Sequence, residues 1–232
     1  MLNNVINAHI IDVNGSCDVN SDGDLQPLET VEPRRLPSQQ RSRERVERML
    51  QAASDLIAAH GSDALKMREV AERAGVPIGS LYQFFPDKSA IIRTLAERYT
   101  RESRVCIAEA LSEVRTGQDL SRAFGELVDT YYRLFLFEPV MRDIWSGTQA
   151  DKALRALELE DSRASARLLT QALLRVEPQR DAGATEELAF LVWQLGEAAV
   201  RLAVSVEQAE GEAMLETYKR MALREIAGEE IP

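Results

Sequence analysis

Apolar side chains return every three or four positions along most of this chain, the repeat of an α-helix with one face turned inward. Val46, Leu50, Ala53 and Ile57 open the series, Met49 and Leu56 widen the stripe, and Gly61 stands where a C-cap would close the helix. Val70, Ala71 and Ala74 mark a short second helix that Asp63 can cap. Gly75 supplies a left-handed turn residue, Pro77 suits the first position of a third helix, and Ile78 and Leu81 give that helix an apolar side. Three short helices, the second and third joined by a glycine turn, predict a helix-turn-helix.

The same period continues to the end. Ile91, Ile92, Leu95 and Tyr99 begin a long connecting helix. Leu120, Phe124, Leu127, Val128, Tyr131, Leu134 and Phe135 form the next, which ends at Glu138-Pro139, and a short one with Met141, Ile144 and Trp145 stops at Gly147. Further helices are predicted over 150–176, 185–207 and 212–226. The pattern therefore predicts an all-α fold with an acidic disordered extension over 1–40, a helix-turn-helix domain over 41–87 and a helical domain over 88–228. An alternative for the extension is a mis-called start, with translation beginning near Val31 or Leu36.

Charge changes the picture. The 232 residues carry a net charge of −10, which argues against a nucleic-acid partner until it is divided along the chain. Residues 1–33 hold six acids and no Lys or Arg, residues 34–101 hold thirteen basic against eight acidic side chains, and residues 102–232 hold fifteen against twenty-four. Only the stretch with the helix-turn-helix pattern is basic, the footprint of a small DNA-contacting module on an acidic body.

Several other chemistries fall away. No run approaches the roughly 18 apolar residues of a membrane span, and Asn3, Asn4, Asn7 and His9 interrupt any signal peptide. Cys17 and Cys106 match no disulfide or metal framework, so a cytoplasmic, reduced protein is expected. His60 is the only histidine outside the extension, which leaves no Ser-His-Asp or Cys-His set, and there is no nucleotide-binding glycine loop; no enzyme activity and no cofactor are expected. Asp18, Asn20, Asp22, Gly23 and Glu29 have the spacing of a calcium-binding loop. Asn14-Gly15 spoils the entering helix and Pro27, Pro33 and Pro37 spoil the loop and the leaving helix, so no metal site is expected there.

Residues 43–92 resemble the DNA-binding domain of the tetracycline-repressor (TetR) family. The resemblance is carried by "RVERMLQAASDLIAAHG", "MREVAERAGV", "GSLYQFF" and Lys88 at the family's spacing. Lys66 stands where the family usually has Thr or Ser opening the second helix, and Pro77 where it usually has Ser opening the third. The resemblance implies a homodimeric transcriptional regulator, a repressor released from a palindromic operator in double-stranded DNA by a small-molecule effector of unknown identity. A helix-turn-helix protein acting through protein partners, without such an effector, is the competing reading.

Candidate contacts follow from groove geometry. A short recognition helix can enter a major groove about 12 Å wide with its first residues aimed at base edges. Gly79 lets the backbone come close, Ser80 and Gln83 offer hydrogen-bond groups to bases, and Pro77 and Ile78 lead the helix in. By resemblance, Tyr82 turns its hydroxyl to a phosphate. Lys66 and Lys88 can hold phosphates by charge, and Arg43, within a cluster with Arg41, Arg45 and Arg48, is a candidate phosphate or minor-groove contact. In the body, Tyr131, Phe135, Met141, Trp145 and Trp193, with Tyr132 and Phe137, are candidates to line an apolar pocket. Leu188, Val192, Leu195, Gly196, Ala199, Leu202 and Ala203 would pack against a twin pair of helices across a two-fold axis.

Overall fold

The computed structural model describes residues 36–148 and 152–228. The chain divides into two units, residues 1–39 and 40–232, and the compact fold below is the second. The expected acidic coil, the calcium-type loop and Cys17 lie outside the described residues. Among those described there are helices only: α1 (Leu36–His60), α2 (Met67–Ala74), α3 (Ile78–Phe84), α4 (Lys88–Ser112), α5 (Gly117–Phe137), α6 (Pro139–Thr148), α7 (Lys152–Val176), α8 (Ala182–Ala203) and α9 (Gln208–Ala227). None of them is long and apolar enough to cross a membrane.

Local chemistry sets the boundaries. Gly75 ends α2 with φ 65° and ψ 38°, and its N–H reaches Glu72 O while that of Val76 reaches Ala71 O at 3.0 Å. That paired closure satisfies the last carbonyls of α2 and requires a left-handed residue, for which glycine carries no Cβ penalty. Asp87 caps α4 by accepting from Ala90 N at 2.8 Å, and Thr116 with Asp119 forms a reciprocal capping box on α5. Arg175 of α7 donates to Leu111 O at 2.9 Å, taking up a carbonyl at the end of α4.

Some boundaries differ from the pattern's. Helix α1 begins at Leu36 rather than 41. Asp63 is not the cap: α2 starts four residues later, with Lys66 at its N-cap and no side-chain bond. Pro77 is the N-cap of α3, one position before the helix. Helix α8 spans Ala182–Ala203, shifted toward its start because Asp181 caps it by accepting from Ala184 N at 2.8 Å. Helix α9 begins at Gln208, so that Gly211 lies against the end of α8.

Two apolar clusters hold the fold. The first gathers α1–α3 around Met49, Ile57, Val70, Leu81 and Phe85, and is completed by Ile91 and Leu95 of α4 and by Val140 and Ile144 of α6. The second gathers α5, α7, α8 and α9 around Phe124, Phe135, Leu169, Leu173, Val200 and Leu215, with Ile107 and Leu111 from the far end of α4. The core of the three-helix head, α1–α3, thus takes in side chains from α4 and α6.

Candidate nucleic-acid interface and cavity

Helix α3 holds onto the head by one face. Leu81 is fully buried, while Ile78 is 42% exposed and Tyr82 50% exposed, and Gly79 and Gln83 face outward with them. A Cβ added at Gly79 would meet nothing within 4 Å, so the backbone there is open to an approaching surface. Ser80 is half-buried and accepts from Arg45 Nη1 at 3.4 Å, which draws the α1 arginine toward the recognition helix. Arg41, Arg43, Arg45 and Arg48 are all exposed on α1. The structure therefore brings Pro77, Ile78, Gly79, Ser80, Tyr82 and Gln83 together on one short helix and its lead-in.

The two lysines are less free. Lys66 is exposed but pairs with Glu69 at 3.0 Å. Lys88 donates through Nζ to Asp63 O at 2.8 Å and Ser62 O at 3.5 Å, so its ammonium ties the α1–α2 connection to the start of α4. From the other side, Ser62 N donates to Asp143 Oδ2 of α6 at 2.8 Å. That short connection is clamped between two helices, a role the sequence reading did not assign to either residue.

All five predicted pocket residues, Tyr131, Phe135, Met141, Trp145 and Trp193, line one cavity of about 80 Å³ between α4, α5, α6, α7 and α8. Phe135 and Trp145 meet at a tilt of 44° with centroids 4.2 Å apart, and Tyr131 meets both edge-on at 4.9 and 5.8 Å. Tyr132 and Phe137 lie elsewhere. Tyr132 is buried toward α9 beside Gly211, on the core stripe of α5 but about 100° around the helix from Tyr131, and Phe137, about half a turn past Phe135, is 76% exposed.

Acids on the cavity wall escaped the sequence reading. Glu158 accepts from Trp145 Nε1 at 2.9 Å and pairs with Arg201 at 3.0 Å, and that guanidinium sits 4.3 Å from the Trp145 ring centroid. Asp161 pairs with Arg104 at 2.7 Å, and burial still lifts its carboxyl above the usual range. Glu197 accepts from Ser162 Oγ at 2.7 Å, Trp193 Nε1 at 3.1 Å and Gln194 Nε2 at 2.9 Å. Burial is the main reason that Glu197 rises to about 7; Glu158 and Asp161 add to it, while bonds from Ser162 and Trp193 oppose it. The available signal was spacing: Trp193 and Glu197 are four apart on α8, and Glu158 and Asp161 three apart on α7, so each pair shares a face.

The small residues of α8 divide between two faces. A Cβ at Gly196 would lie 2.8 Å from the Tyr218 hydroxyl of the same chain, and Val192 and Ala203 are buried in the body core. Ala199 packs half-buried against that core. These four make contacts within the chain. Leu191, Leu195 and Leu202 form the outward stripe, with Met221 of α9 also exposed.

Comparisons agree with this architecture. Residues 49–95 match the model for bacterial regulatory proteins of the tetR family, and residues 118–229 match that for the tetracyclin repressor-like C-terminal domain. The transcriptional repressor KstR of Mycobacterium tuberculosis is 28% identical over 140 residues, 60% of this chain and 63% of that protein, so the match spans less than two thirds of the relative's length. KstR of Rhodococcus jostii is 28% identical over 160 residues, 65% of this chain and 70% of its own. A crystal structure of a TetR-family transcriptional regulator from Streptomyces coelicolor superposes with a TM-score of 0.59 at 28% identity, covering 82% of this chain and 99% of that one. With both domain models matched in order and the whole helical frame shared, the chain belongs to the TetR family of bacterial transcriptional regulators.

Proposed function

We propose that this protein is a cytoplasmic transcriptional repressor that binds a palindromic operator as a homodimer and leaves it when a small molecule enters the body cavity. The observation that carries the reading is helix α3, which buries Leu81 and turns Gly79, Tyr82 and Gln83 outward on the basic segment. One such helix makes too few base contacts for useful specificity, so two copies would read half-sites about 34–36 Å apart, or a multiple of that. The outward stripe of Leu191, Leu195 and Leu202 on α8 supports the pairing of copies. The relation to the KstR repressors supports repression over activation.

Helix α6 supports the release step. Val140 and Ile144 belong to the head core, while Met141, Ile144 and Trp145 line the cavity, and Asp143 accepts from Ser62 N. A ligand that displaces Trp145 would shift α6 and α4, and with them the angle of the head. To release DNA it must favour the shifted state by several kcal/mol, since its leverage equals its differential affinity.

Selection of a binding site from random DNA, followed by mobility shift and light scattering, tests the reading. Leu195→Glu should give monomers with intact helices that no longer hold the full site. A monomer that binds the full site as tightly as wild type sinks the dimer mechanism. Failure to select any site sinks the DNA reading itself.

A further inference from the structure

The cavity wall is chemically uneven. Aromatic rings from α5, α6 and α8 line it, three carboxylates reach it from α7 and α8, and among the described residues no Lys or Arg lines it. Two of the carboxylates have counter-charges behind the wall, Glu158 with Arg201 and Asp161 with Arg104. Glu197 has no ion pair among the described residues: its hydrogen-bond partners Ser162, Trp193 and Gln194 are neutral donors, and Arg201, one turn along α8, is paired with Glu158. A carboxylate withdrawn among rings is costly unless a positive charge meets it. The rings themselves favour a cation over an anion, because their faces are negative.

We infer that the cavity takes a small aromatic ammonium ion, its ring among Phe135, Trp145 and Trp193 and its N–H groups on Glu197; this rests on reading the cavity as the effector site. An anionic ligand would meet three carboxylates and no lining cation. A neutral ligand would leave the Glu197 charge unbalanced. Size points the same way: at about 80 Å³ the cavity is smaller than the engineered void of about 150 Å³ that holds benzene, so one ring enters with modest parting of the walls. Long chains or fused rings would need much larger movement.

The site should also respond to pH. The groups facing Glu197 are Glu158 and Asp161 of α7, Tyr131 of α5 and Tyr218 of α9, with Arg201 one turn along α8. The burial and acidic neighbours that hold the Glu197 carboxyl near neutrality mean that it gains a proton as pH falls below about 7 and loses its hold on a cation.

Benzylamine, benzyl alcohol and benzoate share one ring and carry positive, zero and negative charge, which makes them a matched probe set for calorimetry on the full chain. At pH 8 benzylamine should bind at least tenfold more tightly than benzyl alcohol, with benzoate weakest. The amine preference should shrink several-fold at pH 6, where benzylamine is still protonated, and fall to near parity in Glu197→Gln. A melting temperature for that variant no lower than wild type at pH 8 shows that its fold is kept. Equal or better binding of the alcohol or the acid overturns the inference while leaving a ring-binding cavity in place, as does a tenfold amine preference that survives Glu197→Gln. If none of the three binds at millimolar concentration the inference is also overturned. Toluene then tells the two readings apart: binding of toluene keeps the cavity as a ligand site, and no binding removes the effector site as well.

Discussion

The reading head and the body use the same helical grammar for opposite ends. The head packs two short helices, α2 and α3, against the longer α1 so that its polar and open positions, Gly79, Tyr82 and Gln83, face out. The body turns polar chemistry inward, placing Glu158, Asp161 and Glu197 on a cavity wall and leaving an apolar stripe on the outside of α8. A surface that must meet a polar, charged duplex can be hydrophilic throughout, whereas a chamber needs polar groups that are each answered by a donor or a counter-ion. Substitutions should therefore separate the two: at the outward positions of the head they change binding with little effect on stability, and in the body interior they change stability first.

Glycine gives the widest separation. A Cβ at Gly211 would lie 2.4 Å from the Ala203 carbonyl oxygen, a backbone atom that cannot turn aside. Gly211→Ala should destabilise the protein by about 1–3 kcal/mol, toward the upper end, because α8 and α9 must move apart. Gly79→Ala meets open space and should leave the unfolding midpoint at or above that of wild type, while weakening DNA binding. Urea denaturation of both variants decides it; equal midpoints would break the contrast.

Next in size is a pair in the head. Gln83→Ala should cost specific binding about 1–3 kcal/mol and leave random DNA unchanged, since Gln83 is exposed on the outward face of α3. Lys88→Ala should behave differently. Its ammonium holds Asp63 O and Ser62 O, so its loss should lower stability by about 0.5–1.5 kcal/mol and weaken all DNA alike. Salt-titrated binding with parallel melting curves separates the two; a Lys88→Ala variant of unchanged stability would return that lysine wholly to the phosphates.

Legibility followed the same division. The three-helix head was readable because Gly75, Pro77 and the Leu81 spacing are local signals, and local geometry decides a turn. The five cavity-lining residues were readable by type, as aromatic and Met side chains of apolar helical segments, although they come from three separate helices, α5, α6 and α8. What escaped were contacts between distant segments. Nothing near Asp143 in the chain announces Ser62, and nothing near Gly196 announces Tyr218, so the glycine read as a place for a twin helix turned out to hold a partner from its own chain. Glu158 and Asp161 did not stand out, because α7 is rich in charge and periodicity alone cannot say which side a cavity will occupy.

Acid–base behaviour sharpens the comparison inside the body. The Glu197 carboxyl rises from 4.5 to about 7 on folding, chiefly through burial. Between those values the folded chain holds a proton that the unfolded chain has released, so this group's contribution to stability falls as pH rises through that window. Glu197→Gln removes the charge and should stabilise the protein by about 1–3 kcal/mol at pH 8, with the gain fading toward pH 5. Denaturation at both pH values reads it, and a gain as large at pH 5 as at pH 8 would show that charge is not the cause.

The smallest effect comes from one hydroxyl in each region. Tyr132 is 5% exposed, and its hydroxyl has no hydrogen-bond partner among the described residues. Beside it is Gly211, where an added Cβ would lie 3.1 Å from the Tyr132 oxygen, so the group is crowded as well as unanswered. An unmet buried hydroxyl pays its desolvation without return, and Tyr132→Phe should stabilise the protein by up to about 1 kcal/mol. The gain is bounded because the ring stays and only one oxygen-sized space opens. Tyr82→Phe, on the exposed helix of the head, should leave stability within about 0.5 kcal/mol and instead weaken DNA binding by the loss of one phosphate contact. Paired denaturation and mobility-shift measurements test both together. Destabilisation of Tyr132→Phe by more than about 1 kcal/mol would mean that a water answers the hydroxyl, and the body would then meet its polar groups as completely as the head does at its surface.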